Sequence, residues 1–342
     1  MGSIQQGRNN ALDVFKGLAV VLMVLSNTHA LLSGSIDYSN GFPFRIYFDM
    51  FIAPMFVFAV GYVMASPSRT VGRVWSRFGI TIIAAIAFGI MLDLLVSEFF
   101  YSILFPLASI ILIVGLIARF KHAEKIYLHA IPVIMLITTL EYYWQPYIPE
   151  PYLYMFSMVR DIDMFAHGAW AAPITPLLAI AFFAAWLSFK QDIVWVVLEL
   201  IKLFVLAMVL SLWTQPVEFV ESYIMTALWE VTIIMVTTVI YAACHLLSMS
   251  THLQPVQKQL QWLGQRVLFI YFIHHIVIFM YCAGFNDGHL FKYSLTDNYS
   301  AAPENPLLVM LIVLIVSVLI TYSYKECHDC AVKESLRDSR SR

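Results

Sequence analysis

Residues 11–32 read ALDVFKGLAVVLMVLSNTHALL. The stretch is long enough to cross a bilayer as a helix, which takes about 20 mostly apolar residues. It also carries Asp13, Lys16, Asn27 and His29, which a plain anchor does not need. A charge at membrane depth costs roughly 2.5–3.5 kcal/mol on insertion scales, so ionisable residues there usually face a cavity or a partner. The segment therefore reads as the wall of a polar site.

The rest of the chain agrees with a membrane setting. Of its 342 residues, 61% are hydrophobic and only 12% are charged, against about 25% charged in ordinary soluble domains. The apolar runs are continuous, as in MLIVLIVSVLITY (310–322), and do not alternate as barrel strands do. The expected fold is all-α, a polytopic transmembrane helix bundle of about ten spans. Candidate spans lie near residues 12–32, 43–65, 78–97, 100–119, 126–144, 170–189, 193–213, 222–248, 266–284 and 305–324. The segment THLQPVQKQLQWLGQ (251–265) is expected to hold a short surface helix.

Basic residues orient this topology by the positive-inside rule. With the amino terminus in the cytoplasm, the inner side receives Arg69, Arg73 and Arg77, then Arg119, Lys121 and Lys125, then Lys190, Lys258 and Arg266. The tail adds Lys325, Lys333, Arg337, Arg340 and Arg342. The outer loops hold only Arg160 and Lys292, with Arg45 at the edge of the second span. Both termini are expected to be cytoplasmic and the protein to be a multi-pass component of the cell membrane. No cleavable leader is expected, because the first apolar run has internal charges and no small-residue cleavage site. Two long outer loops, 145–169 and 285–304, are rich in Pro, aromatic and acidic residues. They read either as the mouth of a cavity or as ordinary connectors.

The buried polar residues suggest chemistry. Asp13 and Lys16 are three residues apart on one helix face, which reads as an ion pair or as the grip on an anionic ligand. Asn27 and His29 lie about 16 and 20 Å further along, at 1.5 Å per residue. Asp49, about two turns into the returning second span, can reach the depth of His29. A histidine oriented by a carboxylate is a general base suited to a hydroxyl or amine. Its plainer reading is a structural hydrogen bond between helices. The ninth span holds Tyr271, His274 and His275, and adjacent helical residues diverge by about 100°, so at most one of the two histidines should face a shared cavity. Glu199 and Lys202 should neutralise each other. Asp93, Glu141, Glu230, His129 and His245 receive no role. Cys327, His328 and Cys330 lack the second ligand pair of a metal site, and Cys244 and Cys282 read as inert. Phosphate-loop, dinucleotide and nucleophile-elbow motifs are missing.

Three stretches together resemble one family. DVFKGLAVVLMVLSN (13–27) resembles the opening helix of the membrane-bound acyltransferase superfamily that includes acyltransferase family 3 and the heparan-α-glucosaminide N-acetyltransferases. FIAPMFVFAVGYVMA (51–65) resembles its second helix through Pro54, Phe56, Phe58, Gly61 and Tyr62. LQWLGQRVLFIYFIHHIVIF (260–279) resembles a late helix through Gly264, Ile270, Tyr271 and His274. Lys16 stands where the family usually has Arg, keeping the charge without the bidentate fork. Asn27 stands where acyltransferase family 3 has His, and the N-acetyltransferase branch also has Asn there. That branch carries its catalytic His in the loop before the second helix, whereas SGSIDYSNGFPF (33–44) has none, leaving His29 as the nearest candidate.

The resemblance implies a single transmembrane acyltransferase-like domain over residues 1–324 and a polar cytoplasmic tail over 325–342. It implies an enzyme moving an acyl group, acetyl by preference, from cytoplasmic acyl-CoA to a hydroxyl or amine of an extracytoplasmic glycan or similar acceptor. Asp13, Lys16, Arg73 and Arg77 would bind the CoA, basic groups meeting its phosphates. His29 would act as base, Asp49 would orient it, Asn27 would donate to the thioester oxyanion, and His274 would join the catalytic set. No metal is expected. The expected partners are the lipid bilayer, acyl-CoA and the acceptor, with a homodimer allowed and nucleic acid excluded. Two other classes stay open: a proton-coupled transporter, against which the lack of internal repeats counts, and a non-catalytic assembly protein of an envelope-polymer pathway with the same fold.

Overall fold

A computed structural model describes residues 10–33, 44–65, 71–96, 104–144, 174–190, 193–212, 218–285 and 308–324. Within the helices, the side chains of residues 29–33, 44–50, 91–96 and 141–144 and some others near helix ends lie outside the description. The described residues are all helical or in turns between helices.

The helices fall on the apolar runs. In chain order they are α1 (Asn10–Ser33), α2 (Phe44–Met64), α3 (Val71–Val96), α4 (Leu104–Ile117), α5 (Ala123–Trp144) and α6 (Ile174–Leu187). Then follow α7 (Ile193–Leu212), α8 (Glu218–Met249), α9 (Gln254–Gly264) and α10 (Val267–Phe285), and α11 (Leu308–Tyr324). Three of them start on proline: Pro106 in the first turn of α4, Pro176 in that of α6, and Pro255 at the start of α9. Proline is favoured there because its missing N–H is one that the first turn leaves unbonded anyway.

By length and hydropathy, α1, α3 and α8 can each cross a membrane, and α9 with α10, bent by 82°, can form a fourth span. Helices α4 and α6, each of 14 residues, are about 21 Å long at 1.5 Å per residue, short of a hydrocarbon core about 30 Å thick. The surface helix expected within 251–265 is α9, whose Gln254, Pro255, Val256, Lys258 and Gln259 are exposed while Gln257, Leu263 and Gly264 are buried.

Two helices form the centre. α6 is buried nearly all round and packs on α2, α4, α5 and α8. α1 packs on α2, α8, α9 and α10. The two are joined through α2 and α8, which touch both. Phe15 of α1, Phe58 and Tyr62 of α2, and Tyr241 of α8 meet in one aromatic cluster with ring centroids 5.5–5.8 Å apart. Such pairs add about 0.5–1.5 kcal/mol beyond area burial. Around this centre, α3, α7 and α11 turn apolar rows outward: Ile80, Ile83, Ile86 and Ile90 on α3, and Ile201, Phe204, Val205 and Met208 on α7. Helices that border lipid are apolar all round, because lipid tails reward apolar contact as a core does.

Polar pins hold the helix ends. Gln257 donates its amide to the carbonyls of Leu247, at 2.5 Å, and Ser250. It thereby caps α8 with a side chain of α9, satisfying carbonyls that a helix C-terminus leaves without partners. Tyr127 donates its hydroxyl to the Val114 carbonyl at 2.7 Å, closing the α4–α5 turn. Lys190 meets Glu124 at 2.6 Å and sits over the rings of Trp186 and Trp195. The expected pair of Glu199 and Lys202 is present at 2.7 Å.

Candidate functional site

The polar wall of α1 begins with an ion pair. Lys16 Nζ lies 2.6 Å from Asp13 Oδ1, and the Asp13 side chain is 7% exposed. One turn of α1 also receives α9. A Cβ on Gly17 would fall onto the Leu260 backbone carbonyl, and one on Gly264 onto the Asp13 carbonyl. Only glycine lets two backbones approach so closely, and Gly17 and Gly264 set the crossing of α1 and α9. Arg266 follows at the bend into α10. Its guanidinium lies 4.4 Å from the Trp262 ring centroid and donates to the Trp262 carbonyl at 3.0 Å.

About 15 Å further along α1, Asn27 reaches α10. Its Nδ2 lies 3.1 Å from His274 Nε2. The other ring nitrogen, Nδ1, is 3.0 Å from the Ile270 carbonyl. A carbonyl only accepts, so Nδ1 carries the proton. Nε2 is then the acceptor, and the Asn27 amide donates to it. His274 has no exposed surface. A buried imidazole and a buried carboxamide thus satisfy each other between two helices, as buried polar groups must.

His275 points elsewhere. Its Nδ1–H donates to the Tyr271 carbonyl at 2.7 Å, and its ring lies 4.6 Å from that of Phe88 on α3. Only His274 of the adjacent pair faces α1, as the helical angle between neighbours requires.

The remaining expected site residues divide. Asp13, Lys16, Asn27 and His274 line one helix or touch it. His29 and Asp49 fall on α1 and α2, two helices that pack together, but their side chains lie outside the described residues. Arg73 and Arg77 are exposed on the first turns of α3. The structure brings α3 to α4 and, through Val74, under Gly115 beside Met64; it does not bring these arginines against Lys16 by any described contact. Asp93, Glu141, Cys327, His328 and Cys330 also lie outside the described side chains. Among the described residues, no group of three or more His, Cys, Asp or Glu side chains gathers to hold a metal ion.

Sequence reasoning placed Asn27 and His274 on separate helices and gave each a role, but did not pair them. The signal for the pairing was their presence in two of the three resembling stretches. It likewise left Glu230 without a role, and this residue is wholly buried on α8.

An all-helical bundle with outward apolar faces and a buried carboxamide–imidazole pair defines a membrane-type protein with a polar centre. The family model described as heparan-alpha-glucosaminide N-acetyltransferase, catalytic, matches residues 8–182, just over half of the chain. The chain belongs to that family, and membership implies acetyltransferase chemistry at the membrane. The match spans α1 to most of α6, so His274 lies beyond it. No match is found among curated proteins, and none among solved structures.

Proposed function

We propose that the protein is an integral membrane acetyltransferase. It takes the acetyl group from acetyl-CoA on the cytoplasmic side and places it on an amine or hydroxyl of a glycan, or a similar acceptor, across the membrane. The observation that carries this reading is the bond between Asn27 and His274. It joins the family's matched opening helix to a late helix and makes a buried polar contact between them.

The reading gives each group a task. Basic side chains suit the CoA phosphates, and Lys16 with Arg73 and Arg77 are assigned to them, with Asp13 holding Lys16. The thioester runs along α1 toward Asn27, whose second amide hydrogen is assigned to the oxyanion that forms as the acceptor attacks. Donors aimed at developing charge are worth about 10²–10³ in rate. His29 is assigned as base and Asp49 as its orienting carboxylate. Ten spans with both ends in the cytoplasm complete the reading, supported by the uneven placement of Lys and Arg.

The test is transfer of label from acetyl-CoA in proteoliposomes, with glucosamine as the acceptor on the far side. Wild type should transfer, and Asn27→Ala should lose at least about 100-fold in kcat. Proton-coupled uptake of solute with no transfer to any amine or hydroxyl acceptor would reject the enzyme reading in favour of a carrier. Unchanged transfer by His29→Ala would reject only that residue's assignment.

A further inference from the structure

α7 places a charge on its outward side. The helix is 20 residues long, and its only charged residues are Glu199 and Lys202. It packs on α8, and its sheltered side holds buried Val196 and Glu199 with half-buried Leu200 and Leu203. Lys202 stands off that stripe. Its side chain is 65% exposed, against 9% for Glu199. It lies midway along the helix, about 14 Å from either end at 1.5 Å per residue. Ionisable residues in apolar membrane segments nearly always face a bundle interior or a water-filled cavity. Lys202 instead shares its side of α7 with exposed apolar residues.

Those residues form a seam. Trp195, Leu198, Lys202, Val205 and Val209 are all exposed, and the steps between them alternate between three and four residues. At about 100° per residue they fall within an arc of about 80°. This is the spacing by which two helices pack along each other, each side chain entering a gap on the facing helix. A lone Lys on such a seam fixes register and oligomeric state at some cost in stability. Charge selects the occupant. The Lys202 ammonium spends one N–H on Glu199 Oε1 at 2.7 Å, and its other two have no partner among the described residues. Whatever covers the seam must bring an acceptor to the middle of an apolar face. Two copies of one chain sit in a bilayer with the same orientation, so their α7 helices run parallel and both Glu199–Lys202 pairs fall at one depth. The patch is then its own complement, as a two-fold interface requires.

We propose that this side of α7 is the contact between two copies of the chain in the membrane. The two helices lie parallel about a two-fold axis, with Trp195, Leu198, Val205 and Val209 packed across it. Each Lys202 ammonium then meets a carboxylate from both copies. Two cations and two carboxylates sum to zero, and the packed apolar rows shelter them from lipid. A partner without a carboxylate at that depth would leave the ammonium short of acceptors, which costs more than lipid contact alone would return. The contact needs the membrane setting and not the transfer chemistry.

The test uses the purified full chain in lipid bilayers. Protein carrying one dye per chain should bleach in two steps, passing to one step as lipid dilutes it, and this gives a dimer dissociation constant. Lys202→Glu should raise that constant at least about tenfold, or about 1.4 kcal/mol. Exchanging the two charges, Glu199→Lys with Lys202→Glu, should bring it back toward wild type. Oxidative cross-linking carries the test if the charge variants do not fold. Val205→Cys, on the seam, should give dimers well above the parent chain with its four cysteines. Ile83→Cys, 68% exposed on α3, should stay at the parent level. One-step bleaching of wild type at every dilution overturns the proposal. So does a dissociation constant unmoved by Lys202→Glu, or cross-linking at Ile83→Cys equal to that at Val205→Cys. Acetyl transfer measured on the same samples keeps the two readings apart. Transfer by a monomer removes the contact and leaves the function, and a dimer without transfer does the reverse.

Discussion

Asn27 Nδ2 and His274 Nε2 are 3.1 Å apart although 247 residues separate them in the chain. The Ile270 carbonyl takes the Nδ1 proton of the same ring. Both ends of the imidazole are thus engaged, one inside α10 and one across to α1. The carboxamide cannot turn over without setting its oxygen against a lone pair.

This arrangement predicts that Asn27→Leu leaves His274 Nε2 without its partner and costs about 1–3 kcal/mol, the penalty for an unsatisfied buried acceptor. Thermal unfolding in detergent should show the loss. Nitrogen NMR of labelled histidine should report a bare Nε2 and a protonated Nδ1 at His274 in wild type. The reverse tautomer in wild type would contradict the bond assignment.

The crossing of α1 and α9 predicts a contrast among glycines. Gly17→Ala and Gly264→Ala each drive a methyl group into a backbone carbonyl and should lower stability by about 2–4 kcal/mol or prevent folding. Gly72→Ala and Gly79→Ala meet nothing within 4 Å. They should be neutral or stabilise by up to about 1 kcal/mol through helix propensity. Melting temperatures of the four variants measure the contrast, and equal behaviour would refute the tight crossing.

Gln257 predicts an effect at the end of α8. Gln257→Leu removes both donations to the Leu247 and Ser250 carbonyls and should cost about 1–3 kcal/mol. Gln257→Glu should cost more, because carboxylate oxygens would face carbonyl oxygens. Hydrogen exchange should rise in the last turn of α8 and in α9 before it rises elsewhere. Uniform exchange would mean that α9 is held by other contacts.

The basic residues predict a division between stability and binding. Lys16→Met removes the cation 2.6 Å from the buried Asp13 carboxylate and should lower stability by about 1.5–3 kcal/mol, as for a hydrogen bond to a charged group, which a lower melting temperature would report. Lys16→Arg should restore most of that. Arg73→Ala and Arg77→Ala alter exposed side chains, so their melting temperatures should stay near wild type while the KM for acetyl-CoA rises several-fold. An unchanged KM in both would remove them from the donor site.

Much of the architecture was legible from residue order. Continuous apolar runs such as 310–322 need backbone hydrogen bonds closed within the segment, which only a helix provides in lipid. Among the described residues each expected span holds a helix, of which three, or four with the bent pair, are long and apolar enough to cross a membrane, and α9 appears where polar and apolar residues alternate with helical period. The pairs of Asp13 with Lys16 and Glu199 with Lys202 were legible because i and i+3 positions share a helix face. The pairing of Asn27 with His274 was not legible. It depends on how helices distant in the chain turn and slide against one another.

Taken by itself, the order of residues determined the class of the protein. Hydropathy and three short patterns are local properties, and local properties choose helices and a family. The tertiary structure decided which polar residues meet. Two glycines allow α9 to touch the backbone of α1, the bend after α9 turns α10 beside it, and His274 then reaches Asn27. That outcome depends on contact between backbones, where a single methyl group is enough to change the register. No periodicity along one chain segment encodes it.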